Sequence, residues 1–147
     1  MGPSTTINGL IIRNSGDSSS NDIPLQSGFY LRSANWAPTI DDLEISGSIG
    51  SGIYLMKSSL RGSNWNVHNN SGIGLHIQES HPEIEGIESS DNGLNGVFVY
   101  DSSNVLLVNA SSNRNGASAT EMSEGVGFLY RESNTLTAST KDVTCRT

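Results

Sequence analysis

Three histidines and a set of evenly spaced carboxylates are the residues of this 147-residue chain that could move protons or hold a metal. His76 and His81 fall within one repeat of the sequence, and His68 lies at the end of a strand-like run. General acid–base work would need an imidazole and a partner within about 3 Å of the transferred proton. Glu79, Asp101 and Glu132 recur at equivalent positions, with Lys57 one repeat earlier, and Glu44, Glu85, Glu88 and Asp91 gather on another side. Carboxylates stacked at strand spacing, about 5 Å, could hold Ca²⁺. No EF-hand or nonapeptide calcium pattern accompanies them. Cys145 is the only cysteine, so there is neither an internal disulfide nor a Cys/His metal spacing. The sequence predicts no catalytic set, no metal and no cofactor, with the histidines and acids as solvated polar groups.

A second set of residues points to binding. Counting from a recurring glycine, the second position holds Ile11, Tyr30, Tyr54, His76, Phe98 and Leu129. The fourth holds Arg13, Arg32, Met56, Gln78, Tyr100 and Arg131. Alternation turns both columns outward if the first and third positions face a core. An outward strand face is normally polar, so an aromatic and apolar stripe flanked by Arg marks an interaction surface. The candidate binding residues are Tyr30, Arg32, Tyr54, Met56, His76, Phe98, Tyr100 and Arg131. The fitting partners are another protein, either a second copy or a different chain, and a glycan stacked on the rings. Ring stacking between neighbouring repeats is the plain structural alternative.

The elements that position these columns follow from the glycines. A Gly followed by alternating large residues begins at Gly9, Gly28, Gly52, Gly74, Gly96 and Gly127, and the central intervals are both 22 residues. The first and third following positions are apolar or aromatic at every repeat, from Leu10 and Ile12 to Phe128 and Tyr130. The sixth is Ser in all repeats except Ala34, which suits a turn in which a hydroxyl bonds the backbone. A second strand per repeat is predicted over 39–45, 64–68, 83–88, 104–109 and 135–138. Its inward residues are Ile40, Leu43, Ile45, Trp65, Val67, Ile84, Ile87, Val105 and Val108. Turns rich in Asn, Ser and Gly close each repeat, at 68–72, 89–93 and 111–116. Nothing reads as a long amphipathic helix. The pattern predicts an all-β parallel solenoid of about six coils of roughly 22 residues. Residues 1–147 form one domain, expected to be a segment of a longer β-helix, with an inserted loop at 117–124 and a tail at 142–147.

The stretch Ser51 to Asn115, with G-I-Y-L, G-L-H-I and G-V-F-V followed by N-V-L-L-V-N, resembles the right-handed parallel β-helix proteins of the pectate-lyase-like superfold. The resemblance extends over about Ile7 to Asp142. It implies the fold, while the superfold hosts lyases, hydrolases, epimerases, tailspikes, adhesins and animal surface or junction proteins. Its polysaccharide enzymes carry acidic Ca²⁺ ligands with an Arg base, or N-T-D, D-D, G-H-G and R-I-K motifs, or a D-P-H-E run. Here only Asp41-Asp42 matches, and Ser80-His81-Pro82-Glu83 has the wrong order. The resemblance also implies that glycans bind along the strand face.

Composition narrows the partners. Hydrophobic content is 34%, low for a globular core but enough for a thin solenoid. A net charge of −7 leaves no basic stripe, which argues against nucleic acid and anionic membrane surfaces. No apolar run reaches membrane-spanning length. Asn69-Asn70-Ser71 and Asn109-Ala110-Ser111 are potential glycosylation sequons at Asn69 and Asn109. The expectation is a non-enzymatic extracellular, cell-surface or virion-surface module that is structural or adhesive and acts through its aromatic strand face, end-to-end assembly, or both. The alternative is a polysaccharide-binding or polysaccharide-degrading module.

Overall fold

The computed structural model describes residues 5–34, 37–101 and 105–116, without the Ile23 side chain, together with the backbone of strands 128–131 and 136–142. In chain order the elements are β1 (Thr6–Asn8), β2 (Ile11–Arg13), α1 (Ile23–Gln26), β3 (Phe29–Arg32), β4 (Thr39–Ser46), β5 (Ile53–Met56) and β6 (Arg61–His68). They continue with β7 (Leu75–Gln78), β8 (Glu83–Ser90), β9 (Val97–Tyr100), β10 (Val105–Asn113), β11 (Phe128–Arg131) and β12 (Leu136–Asp142). The longer strands form one parallel sheet in the order β1-β4-β6-β8-β10-β12, with β2 also on β4; the short ones form a second, β3-β5-β7-β9-β11. From β3 onward successive strands alternate between the two sheets, so the chain winds as a parallel β-helix. We call them the long-strand and the short-strand sheet.

Coil geometry comes from residues in the left-handed region. Each full coil has three: one after the short strand (Ser33, Lys57, Glu79, Asp101), one inside the long strand (Asp42, Asn64, Gly86, Asn109) and one after it (Gly47, Asn69, Asp91, Arg114). These are corners. The long strands therefore run on through a bend into a second arm, which is why β6 begins at Arg61 and not at the predicted 64. Asn, Asp and Gly tolerate such angles best. Lys57 and Glu79 are held there by amides bonded to the carbonyls of Gln78 and Tyr100 on the next coil.

This geometry corrects the first repeat. Gly9 has φ +73 and occupies the bend of the long-strand sheet, where its amide bonds the Asp41 carbonyl. Ile11–Arg13 consequently pairs with Glu44–Ser46, so the first Gly-led motif belongs to the other sheet. Ser15 leaves the serine column with it. Gly28, Gly52 and Gly74 have a different job, close approach: a Cβ on Gly52 would lie 2.5 Å from Val67 Cγ1 and 2.9 Å from the Gly74 carbonyl. Five motifs stack as the short-strand sheet, giving four coil-to-coil steps in place of the expected six coils.

The core lies between the sheets. Ile53, Leu55, Leu75, Ile77, Val97 and Val99 face Ile40, Leu43, Ile45, Trp65, Val67, Ile84, Ile87, Val105, Leu107 and Ala110. Val108 was expected inside but is half-exposed, because Leu107 pairs with Ile84 and the inward set moves to Leu107 and Ala110. One column compensates its neighbour: Gly62 leaves the space that Trp65 fills, and the Trp65 indole N–H donates to the Ile40 carbonyl at 2.8 Å.

Two polar ladders tie the corners. Ser58 Oγ accepts from the Ala34 amide and donates to the Met56 carbonyl, and Ser80 Oγ repeats this with the Ser58 amide and the Gln78 carbonyl. This is the role predicted for the serine column; Ser102 and Ser133 lie outside the described residues. The second ladder was not foreseen. Asn70 Oδ1 accepts from the Ser48 amide, Asn92 Oδ1 from the Asn70 amide, and Asn115 Oδ1 from the Asn92 amide.

Candidate functional site: an aromatic ladder on the short-strand sheet

Ile53 and Leu55 point into the core, so Tyr54 between them points to the outer face of the sheet. The register then stacks Tyr30, Tyr54, His76 and Phe98 on successive coils. Ring centroids are 5.4 Å apart for Tyr30–Tyr54, 4.4 Å for Tyr54–His76 and 5.0 Å for His76–Phe98. Arg32, Met56, Gln78 and Tyr100 form the second outward column by the same pairings, and the backbone of Arg131 pairs with Tyr100. The columns are cross-braced. The Tyr30 hydroxyl reaches Met56 Sδ at 3.6 Å, the Tyr54 hydroxyl donates to Gln78 Oε1 at 2.5 Å, and the Phe98 ring lies 6.4 Å from that of Tyr100.

The face is not uniformly solvated. Tyr54 is 6% exposed and His76 8%, because rings above and below cover both faces of each. His76 is thus buried rather than a solvated histidine. Tyr30, Met56, Phe98 and Tyr100 are half-exposed, and Arg32 is exposed. The centre of the ladder is packed and its ends are open. Burial pushes the Tyr54 phenol up, with Tyr30, Asp22 and Glu79 adding to the effect. Burial lowers His76 to about 4, so it is neutral at pH 7, and its Nδ1 has no hydrogen-bond partner. A neutral imidazole stacked between rings packs as an aromatic side chain.

The other candidate chemistry is dispersed. His68 lies on the long-strand sheet, with Nε2 3.8 Å from Glu44 Oε1 and Nδ1 2.8 Å from Asn69 Nδ2. His81 is exposed at the corner leading into β8, where Pro82 immediately precedes the strand. Asp41 accepts from Ser63 and Asp42 from Asn64, both at 2.7 Å, so the Asp-Asp pair braces a bend. Glu79 pairs with Lys57 at 3.4 Å along a corner. Arg13, Arg61 and Arg114 pair with Glu44, Glu83 and Asp91 and hold those carboxyls below the usual range. Among the described residues no three His, Cys, Asp or Glu side chains converge to hold a metal. Asn69 and Asn109 are exposed corner residues. The Arg131 side chain, the 117–124 loop, Glu132 and Cys145 lie outside the described residues.

The signal that would have revealed the asparagine ladder was present: Asn70, Asn92 and Asn115 recur at intervals of 22 and 23 residues, Asn92 and Asn115 directly before a glycine and Asn70 one residue further from it. The packed centre of the aromatic column had no such signal, since alternation gives direction and not coverage. Against known families, the model described as right handed beta helix region matches residues 2–144. No curated protein and no solved structure matches significantly.

Proposed function

The chain belongs to the right-handed β-helix family, and from that premise we propose that it is a non-enzymatic structural or adhesive module that works by contact, through the outer face of its short-strand sheet and through its ends. The family hosts many chemistries, so the reading rests on the site and not on the fold. The observation that carries it is the ladder: continuous from Tyr30 to Phe98, packed at Tyr54 and His76, and open at Tyr30, Phe98 and Tyr100. Aromatic side chains beside Arg32 are the composition of protein contact sites. The only titratable group inside the ladder besides its phenols is the neutral His76, which suits packing better than proton transfer. Exposure of the sequons at Asn69 and Asn109 supports an extracellular or surface setting.

Tyr30 and Phe98 are the residues to test, because Tyr54→Ala would report on folding. Sedimentation velocity over a wide concentration range is expected to show self-association, or binding of a partner chain, that weakens in Tyr30→Ala and Phe98→Ala at unchanged stability. A column that stays monomeric and binds no other chain would defeat the reading. The half-exposed rings of Phe98 and Tyr100 favour one second reading, a glycan laid on the face. Glycan-array binding lost in Phe98→Ala would establish it, and turnover of a bound polysaccharide would replace the contact reading with an enzyme.

A further inference from the structure

Among the described residues, His76 Nδ1 is the buried side-chain nitrogen or oxygen that lacks a hydrogen-bond partner. It stands at the middle of the contact face. The imidazole is the rung between Tyr54, at 4.4 Å, and Phe98, at 5.0 Å, which lie two coils apart. The other rungs of the column are Tyr30, Tyr54 and Phe98, and a Phe would fill this place without burying an unbonded nitrogen. What a histidine adds to a stack of rings is the ability to take a proton near neutral pH.

The neutral ring fits the ladder and the charged ring does not. An imidazolium carries an N–H on both nitrogens, and Nδ1 has no acceptor. The polar groups of the neighbouring rungs are engaged, the Tyr54 hydroxyl with Gln78 and the Tyr30 hydroxyl with Met56. No charge on the packed elements compensates. β5 brings the Tyr54 phenol and the corner Lys57, β7 brings Glu79, paired with that lysine, and β9 brings the Tyr100 phenol and the corner Asp101. β3 adds Tyr30 and Arg32 one coil further. Burial alone lowers the imidazole, with no contribution from these groups. Attraction of a cation to the Tyr54 ring face works the other way. With Phe98 tilted at 52° and water excluded, it falls short of the hydration a buried charge loses. We propose that His76 is an acid-operated release for the contact face: on gaining a proton its ring swings out from between Tyr54 and Phe98 into water, breaking the ladder and leaving Phe98 braced by Tyr100 at 6.4 Å.

This inference rests on the contact reading above and gives that face its regulation. A ring swung into water takes its proton at the ordinary value of 6.5, whereas the packed ring holds out to about 4. The packed ladder is therefore favoured above pH 6.5 and loses ground as pH falls through that window. The ratio of open to packed forms rises by about 70-fold from pH 7.5 to pH 4.5. A partner that binds the packed ladder better than the open one is released in step with that shift.

The test follows the whole chain, wild type and His76→Phe, from pH 7.5 to pH 4.5 at fixed ionic strength, by sedimentation velocity and by NMR of the aromatic rings. Glu44, Glu83 and Asp91 keep their ion pairs through most of this range, because their carboxyls lie below the usual values. Wild-type association should weaken several-fold on acidification. The ring signals of Tyr54 and Phe98 should shift over the same pH range, while the methyl signals of Leu55 and Ile77 in the core stay native. In His76→Phe, association should not respond to pH, whatever its level at pH 7.5. Wild-type rings that do not move, association that tightens with acid, or a pH response shared by both proteins would overturn the proposal. Ring movement with association unchanged would defeat the release and leave the contact reading standing; no association of either protein at pH 7.5 would remove both.

Discussion

Replacing His76 with Phe should change how the stability of the column depends on pH. His76 sits between Tyr54 and Phe98, 8% exposed, with Nδ1 unbonded and its pKa lowered to about 4 from 6.5 by burial. Between those two values the unfolded chain binds a proton that the folded chain refuses. Its contribution is therefore fully present above pH 6.5, declines as pH falls through the window, and levels off below about 4. At about 1.36 kcal/mol per tenfold step, the loss is capped at about 3 kcal/mol. His76→Phe keeps a ring in the ladder, removes the orphaned nitrogen and removes the titration. It should be roughly 1 kcal/mol more stable than wild type at pH 7. Its advantage should then widen by about 3 kcal/mol on going to pH 4. With an m-value of about 2 kcal/mol/M in urea, that widening is roughly 1.5 M in the unfolding midpoint. Glu44, Glu83 and Asp91, whose lowered pKa values also make acid destabilising, are common to both proteins and cancel in the difference. Urea titrations of the two proteins at pH 7, 5.5 and 4 supply the readout. Parallel pH profiles would refute the reasoning and mean that His76 is protonated freely in the folded state.

Three further outcomes follow from the packing. Gly62→Ala places a Cβ 2.5 Å from the Ile40 carbonyl and from the Trp65 ring, and should cost about 1–3 kcal/mol. Trp65→Ala should cost about 3–5 kcal/mol, and because the two residues share one space, the double variant should fall short of the sum in chemical denaturation. Asn92→Ala removes the acceptor of the Asn70 amide and the donor to the Val67 carbonyl, so it should cost about 3 kcal/mol and speed hydrogen exchange at the Asn70 amide; unchanged exchange there would mean the ladder is dispensable.

Much of the fold was legible because burial enforces alternation: Ile53/Leu55, Leu75/Ile77 and Val97/Val99 had to share one face, while Gly52 had to leave room for Val67 and Asn70 and Gly74 for Ser89 and Asn92. Gly9 misled because the same G-x-x-x pattern arises from a left-handed bend as from a close approach. Val108 misled because a single-residue change in coil length reverses which of two neighbours faces inward. For the site, the direction of Tyr30, Tyr54, His76 and Phe98 could be read from the sequence. Their coverage could not, since it is created by rings on adjacent coils at 4.4 to 5.4 Å.

The contact reading meets its most direct test in sedimentation velocity of wild type and Phe98→Ala across concentration, with and without candidate partner chains. It predicts association in wild type that weakens in Phe98→Ala while both proteins unfold at the same midpoint. A wild type that remains monomeric and unpartnered throughout, or one whose association is untouched by Phe98→Ala, would contradict it.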